Sequence, residues 1–433
     1  MIIPILTNCN KKEHTQKVTL YYFLLFNLLF ILPTSLTSAN EPSKLSIKEL
    51  QLLGMQANGL VRAARSQVGI AESGVISAEA YPNPEVSVTA GTDKGRLPDG
   101  GAGPLSTHRT VAVSQTIENP YLRSARIGSA QANVEASQAG LNQVRADLAS
   151  KLRIRAYELL MRQEIARMET DIFEIMKEVR RRIKVSVDVG ETARFVMIRA
   201  ETEALSSANR KETALLTAQR ARVALVKLTA GSLHPNFEIN ASLSDPVDFP
   251  PLEILRQAVI NANPDILRLE AELEHARLKI DQERAAILPS VDISYSNFQY
   301  KQYTSNTAGL SVNIPLFYRR RGEIDSALFD LERIRETLEY RRFEAGQLVE
   351  SAWQAMRIAK RRVEMFDGGI ITEARLALTV AQTAYRLGES GFIDVLDTKR
   401  VLRDVLADLF QAQYELQSAA AEIDRLRAHY PKE

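Results

Sequence analysis

Two segments of this chain alternate apolar and polar residues with the period of a strand, and each leads into a much longer stretch with the period of a helix. In the first, Val86, Val88 and Ala90 alternate with Ser87 and Thr89, and Val111 and Val113 alternate with Ala112 and Ser114. In the second, Val291, Ile293 and Tyr295 alternate with Asp292 and Ser294, and Leu310, Val312, Ile314 and Leu316 alternate with Ser311 and Asn313. One face of every predicted strand is greasy and the other wet, and a strand of about 10 residues is long enough to cross a bilayer at a tilt. The helical stretches carry apolar residues three and four apart, as in Ile165, Met168, Ile172, Met176, Val179 and Ile183.

The whole pattern occurs twice: proline, strand pair, long helix, glycine turn, returning helix. Ile117 lies 73 residues before Gly190 and Leu316 lies 72 before Gly388, an agreement that marks an internal duplication. The first repeat is predicted over 40–245, with strands 84–92 and 108–117 and a helical hairpin 120–230. The second is predicted over 246–433, with strands 290–300 and 306–316 and a hairpin 319–428. The stretch from Leu45 to Glu79 reads as one helix stopped by Pro82-Asn83-Pro84, and the Gly- and Pro-rich stretch from Gly95 to Pro104 reads as an irregular loop. The predicted fold is mainly α with a small β part, long antiparallel helical hairpins bearing four strands. Four strands cannot close a membrane barrel, which needs about eight or more, so strands that cross lipid must be pooled among identical subunits. The alternation fits a half-buried soluble hairpin equally well, which leaves an exported coiled-coil structural or adaptor-like protein as the competing reading.

Composition narrows the choice. With 45% hydrophobic and 25% charged residues the chain is that of a folded protein, and a net charge of +2 with dispersed Lys and Arg gives nucleic acid no basic face to bind. Lys11, Lys12 and Lys17 precede an apolar run from Val18 to Leu32 and the small residues Thr37-Ser38-Ala39, the pattern of an export signal over 1–39 with cleavage after Ala39. The single cysteine, Cys9, lies upstream of that run, so the exported chain is expected to have no disulfide and no cysteine-borne lipid anchor. His108, His234, His275 and His429 are scattered, and neither a phosphate-binding loop nor a nucleophile–base set is found. No cofactor, metal or enzymatic activity is expected.

Four motifs carry a family resemblance: Ala80-Tyr81-Pro82-Asn83-Pro84, Leu288-Pro289-Ser290-Val291, Val312-Asn313-Ile314-Pro315-Leu316-Phe317, and Tyr385-Arg386-Leu387-Gly388-Glu389-Ser390-Gly391-Phe392-Ile393-Asp394-Val395-Leu396-Asp397. In this order and spacing the chain resembles the outer-membrane efflux channels typified by TolC, especially the heavy-metal (cobalt-zinc-cadmium type) resistance branch. The resemblance implies a homotrimer whose 12-stranded outer-membrane barrel continues into the periplasm as a 12-helix tunnel. It also implies outer-membrane lipid as surroundings, a periplasmic adaptor and a proton-driven inner-membrane pump as partners, and metal cations as the favoured cargo of a passive conduit.

Site residues follow from the same likeness. Asp394 and Asp397, three apart on one helix face, match an acidic ring at the periplasmic aperture, although Asp397 is also placed to pair with Arg400 or Arg403. The matching positions of the first repeat are Val196 and Arg199, so one hairpin alone supplies the ring. Tyr385 matches a tyrosine that helps hold the tunnel shut, and Ser390 stands where that network has a basic partner. Gly190-Glu191-Thr192 and Leu387-Gly388-Glu389-Ser390 are the expected adaptor-docking tips, with glycine making each turn and Thr192 or Ser390 capping the next helix. Arg319-Arg320-Arg321 falls where a strand leaves the membrane, at headgroups or at a solvated helix start.

Overall fold

A computed structural model describes residues 44–96, 100–301 and 303–432; the predicted export signal lies outside them. Short strand β1 (Lys44–Leu45) is followed by helices α1 (Ile47–Ala57) and α2 (Gly59–Glu79), strands β2 (Glu85–Arg96) and β3 (Ala102–Ile117), and helices α3 (Pro120–Asp188) and α4 (Arg194–Leu228). After β4 (Glu238–Ile239), which pairs in parallel with β1, the order recurs. It runs through α5 (Leu252–Ala262), α6 (Pro264–Ala285), β5 (Val291–Tyr300), β6 (Tyr303–Val312), α7 (Arg321–Met365), α8 (Ile371–Leu387) and α9 (Phe392–Leu426).

An asparagine interrupts each leading helix in the same way. Asn58 ends α1 and its Oδ1 accepts the Leu60 amide at 2.8 Å, while its Nδ2 donates to the Leu228 carbonyl at the end of α4, also at 2.8 Å. Asn263 repeats the arrangement between α5 and α6, accepting from Asp265 at 3.0 Å and donating to the Leu426 carbonyl at the end of α9 at 3.1 Å. One side chain thus satisfies an orphan donor at one helix start and an orphan acceptor at another helix end. The single helix expected over 45–79 is therefore two, because the asparagine competes for backbone groups that a continuous helix would use.

Helix α3 has 69 residues, about 100 Å at 1.5 Å per residue, and begins at Pro120 under an Asn119 cap. Gly128 and Gly140 do not break it. They lie against Leu278 and Arg268 of α6, where a Cβ would make ordinary contact. The second long helix is not continuous, contrary to expectation: α7 ends at Met365, Phe366–Ile370 form a wide turn, and Gly369 adopts φ 138°, a conformation that only glycine reaches without strain.

The four long strands form one antiparallel sheet in the order β2-β3-β5-β6, so the two strand pairs are joined through β3 and β5. The first pair runs beyond the predicted limits, into the expected loop, because the ladder needs only backbone groups and continues past an irregularity between Asp93 and Lys94. In the second pair β6 starts three residues earlier than predicted, after a turn with Lys301 at φ 50°. It stops at Val312, short of the predicted 316, where Pro315 brings no amide to a ladder.

Helix α3 packs on α4, α6 and α9 and so holds the two halves together. Leu148, Leu152 and Leu159 of α3 share a core with Leu50, Val61, Leu225 and Phe237, while Val259, Ile266, Val349, Leu416 and Ile423 build a second core. Ion pairs join α3 to α9, Arg153 to Asp424 at 2.6 Å and Asp147 to Arg425 at 3.0 Å. Replacing Asn263, which is 6% exposed, by Ala removes a cap and strands the Leu426 carbonyl. A loss of about 1–2 kcal/mol in unfolding free energy is expected by denaturant titration of the solubilised protein, with Asn58→Ala a matching but milder case because Asn58 is less buried.

Candidate functional site

Register aligns the greasy residues of the sheet into one band. Val86 pairs with Val113, Val113 with Tyr295 and Tyr295 with Ala308; Ile117 pairs with Val291 and Val291 with Val312. The opposite face at the same levels carries Ser87, Ala112, Ser296 and Thr307, then Ser114, Ser294 and Gly309. Thr116 donates to Asp292 on this wet face at 2.6 Å. The apolar band is not covered by the described residues: Val88 is 61% exposed, Leu310 70%, and Ile314, Leu316 and Phe317 below it are open too. A contiguous apolar face of this kind marks a surface that meets something other than water. At the lower edge Arg320 is drawn to Glu283, at 3.1 Å from Nε, which ties one member of the arginine run to α6 instead of leaving it free.

At the far end of the helices the two tips share one backbone design. The Glu191 amide donates to Ser186 O at 2.9 Å and the Gly190 amide to Val187 O at 3.1 Å; Glu389 donates to Ala384 O at 2.9 Å and Gly388 to Tyr385 O at 3.2 Å. Gly190 at φ 81° and Gly388 at φ 78° make these paired closures possible, since the left-handed conformation is strained for side chains with a Cβ. The expected caps differ from those found. Ala193 and Gly391 precede the returning helices, Thr192 Oγ1 instead hydrogen-bonds Ser186 at 2.7 Å, and Ser390 Oγ is shielded without a partner. The cause is one extra extended residue in each turn, which moves the cap position past Thr192 and Ser390. Leu387 is 69% exposed at its tip, and its counterpart Val189, which the sequence reading did not single out, is 65% exposed at the other.

Asp394 and Asp397 both lie exposed on α9. The Asp394 carboxylate accepts the Gly391 amide at 3.0 Å and so fixes the start of its own helix. Asp397 lies 3.6 Å from Arg400, which also reaches Glu203 of α4 at 3.5 Å. Tyr385 is half-buried, its ring tilted on Phe392 at 6.3 Å, and it lines a cleft of about 340 Å³ with Glu178 and Arg182 of α3 and Gln382 of α8. Burial raises its phenol above the ordinary value, with nearby Arg182 opposing.

One charged group in this region was not anticipated. Lys399, one turn beyond Asp394, is 3% exposed; its Nζ donates to Ser207 Oγ at 3.3 Å and lies 3.9 Å from Glu203 Oε1. Arg210 pairs with Glu203 at 3.1 Å and approaches buried Glu169 of α3 at 3.7 Å, so α3, α4 and α9 meet in a polar cluster inside an apolar seam. Burial depresses the Lys399 ammonium to about 8, against the pull of Glu203 and with the help of Arg210. A lysine among helical residues carries no sign of such burial in its spacing alone; the clue was its place between Val395, Leu396 and Leu402 on the inward stripe. Because the folded chain loses this proton at about 8 and the unfolded chain near 10.5, stability should rise with pH between those values. Melting curves of wild type and Lys399→Met across this range are expected to converge toward high pH, with the variant at least as stable at pH 7.

Comparison with known proteins places this geometry. The profile of the family described as outer membrane efflux protein matches residues 255–429. The cobalt-zinc-cadmium resistance protein CzcC of Cupriavidus metallidurans is 23% identical over 88% of this chain and 90% of its own. The nickel-cobalt-cadmium resistance protein NccC of Alcaligenes xylosoxydans is 25% identical over 75% and 72%. Among solved structures, the Campylobacter jejuni CmeC outer membrane channel superposes with a TM-score of 0.77 at 14% identity, covering 89% of this chain and 86% of its own. CusC, described for its folding and transmembrane channel formation, superposes with a TM-score of 0.75 at 16% identity, over 90% and 95%. At such identities the structural likeness is one of fold. By family profile over its second half, by relatives and by fold, this chain is similar to outer membrane efflux proteins.

Proposed function

We propose that three copies of this chain close their sheets into one 12-stranded barrel in the outer membrane and bundle their helices into a periplasmic tunnel, forming the exit duct of a tripartite pump for heavy-metal cations. The observation that carries this reading is the sheet itself. Its apolar face is open along all four strands, and its edge strands β2 and β6 have no further partner among the described residues. Exposed edges and an exposed greasy face are liabilities in water, and both are removed at once if β6 of one copy pairs with β2 of the next and lipid covers the outside. Since β2 and β6 run in opposite directions, the closed barrel is antiparallel throughout, as membrane barrels are. A soluble hairpin domain, the competing reading, has no cover for this face.

Helix surfaces favour the same assembly. Phe195, Ile198, Leu205 and Leu216 on α4 and Phe329, Phe343, Ile358 and Val380 on α7 and α8 are exposed in the single chain and offer apolar seams for neighbouring copies. The tips, with Leu387 and Val189 exposed beside Glu389 and Glu191, are suited to a periplasmic adaptor that reads an apolar residue next to an acid. Cargo is inferred from the metal-resistance relatives, and a proton-driven inner-membrane pump from the same likeness. The duct needs no cofactor and performs no chemistry; Asp394 and Asp397 act as a cation-attracting ring at the aperture, with Tyr385 packing the hairpin behind it. Asp397 is partly offset by Arg400, so Asp394 carries more of the ring's charge.

Outer-membrane fractionation should recover the chain as a detergent-soluble trimer that conducts in planar bilayers; a soluble, solitary periplasmic protein would refute the barrel. Replacing Asp394 and Asp397 together by Ala is expected to lower cation selectivity and divalent-cation block while trimers persist. Unchanged selectivity in intact trimers would remove the ring from the mechanism.

A further inference from the structure

Along most of its height the wet face of the sheet is lined by small residues. Ser87, Thr89, Ala112, Ser114, Ser294, Ser296, Thr307, Gly309 and Ser311 follow one another up the strands in register. The lining changes at the end far from the helices. There His108 of β3, Phe298 and Tyr300 of β5 and Tyr303 of β6 occupy the same face, with His108 paired to Tyr300 and Tyr300 to Tyr303. The rings are stacked as one group, His108 on Phe298 at 6.1 Å and Phe298 on Tyr300 at 6.4 Å with planes 7° apart. His108 is held from the other side by Asp93 of β2, Nδ1 to Oδ1 3.4 Å. Gly91 sits beneath the imidazole, where a Cβ would come within 2.5 Å of the ring, so its missing side chain makes room for that ring. Each ring is large and stiff, whereas a Ser or Gly two levels below reaches only a short way from the backbone.

We infer that these residues form an aromatic collar at the outer mouth, which makes that end the narrowest level of the barrel and sets the size of external solute that can enter. The inference rests on the shared barrel proposed above, because only closure turns the wet face into a lumen and brings three copies of the patch to one level. The tight turn between β5 and β6 places Tyr300 and Tyr303 at the rim of that hairpin, so side chains and not a long loop narrow the opening there. Backflow is the physical problem that such a collar addresses. A duct with a wide outer mouth admits large polar solutes from outside whenever its periplasmic aperture opens; a ring of aromatic side chains restricts them while small hydrated ions still pass.

Poly(ethylene glycol) of graded size, added on the barrel side or the tunnel side of trimers in planar bilayers, measures both openings through the fall in conductance. With Phe298→Ala and Tyr300→Ala combined, the barrel-side size cut-off is expected to shift upward and the tunnel-side cut-off to stay in place. An unshifted barrel-side cut-off in conducting trimers overturns the collar and leaves the channel standing; a wild-type chain that forms no conducting trimers overturns the barrel instead. If the alanine variant does not assemble, Tyr300→Cys serves, since Cys9 is the only cysteine in the sequence and lies within the predicted export signal. A bulky thiol reagent applied from the barrel side should then reduce conductance strongly, and should have little effect on Ser311→Cys at the wide end of the lumen. Equal effects at the two positions would overturn the collar.

Discussion

A sheet with one greasy face and two open edges is not completed by the described residues of the chain that makes it. Burial of apolar area is worth about 25 cal/mol per Å², and the band from Val86 to Leu316 finds no cover among the described residues. Its unpaired edge groups are costly anywhere that water is absent. In the proposed assembly that sheet is satisfied elsewhere, by lipid and by copies of itself. The helical part supplies what the sheet lacks, a core that a single chain can bury, and it is there that folding is locally secure.

The helices achieve this by using each device twice. Asn58 and Asn263 tie a helix start to the end of a returning helix, and Gly190 and Gly388 close the tips through matching backbone bonds. Departures from the duplication then acquire meaning. The acidic pair Asp394 and Asp397 faces Val196 and Arg199 at the equivalent positions, and the break at Gly369 has no counterpart in the unbroken α3. One hairpin thus carries an unbroken long helix, while the other combines a bend with an exposed acidic pair. The cluster of Lys399, Glu203, Ser207 and Arg210 joins the two at a cost in desolvation, which a seam of leucines would not incur.

Much of this was legible from residue order alone. Alternation in Val291, Ile293 and Tyr295 and three-four spacing in Ile172, Met176 and Val179 reveal strand and helix because each period puts one face toward an apolar partner, and that is a local property. The glycine turns were legible too, since few residues other than glycine accept a positive φ. Local pattern misled where partners decide. The Gly-rich stretch around Gly95 joined the ladder, since the neighbouring strand supplied its bonds, and the caps fell on Ala193 and Gly391 because the turn path, and not the best capping side chain, sets where a helix begins.

What the chain determined by itself is therefore its elements, their duplication and the two-faced character of the strands, all of which depend on neighbours within a few residues. Only the tertiary structure decided that β3 pairs with β5 to make one sheet, that Lys399 is buried while Asp394 is not, and that His108 stacks on Phe298. These depend on which distant segments meet, and the spacing of residues along a chain carries no distance between segments until packing brings them together.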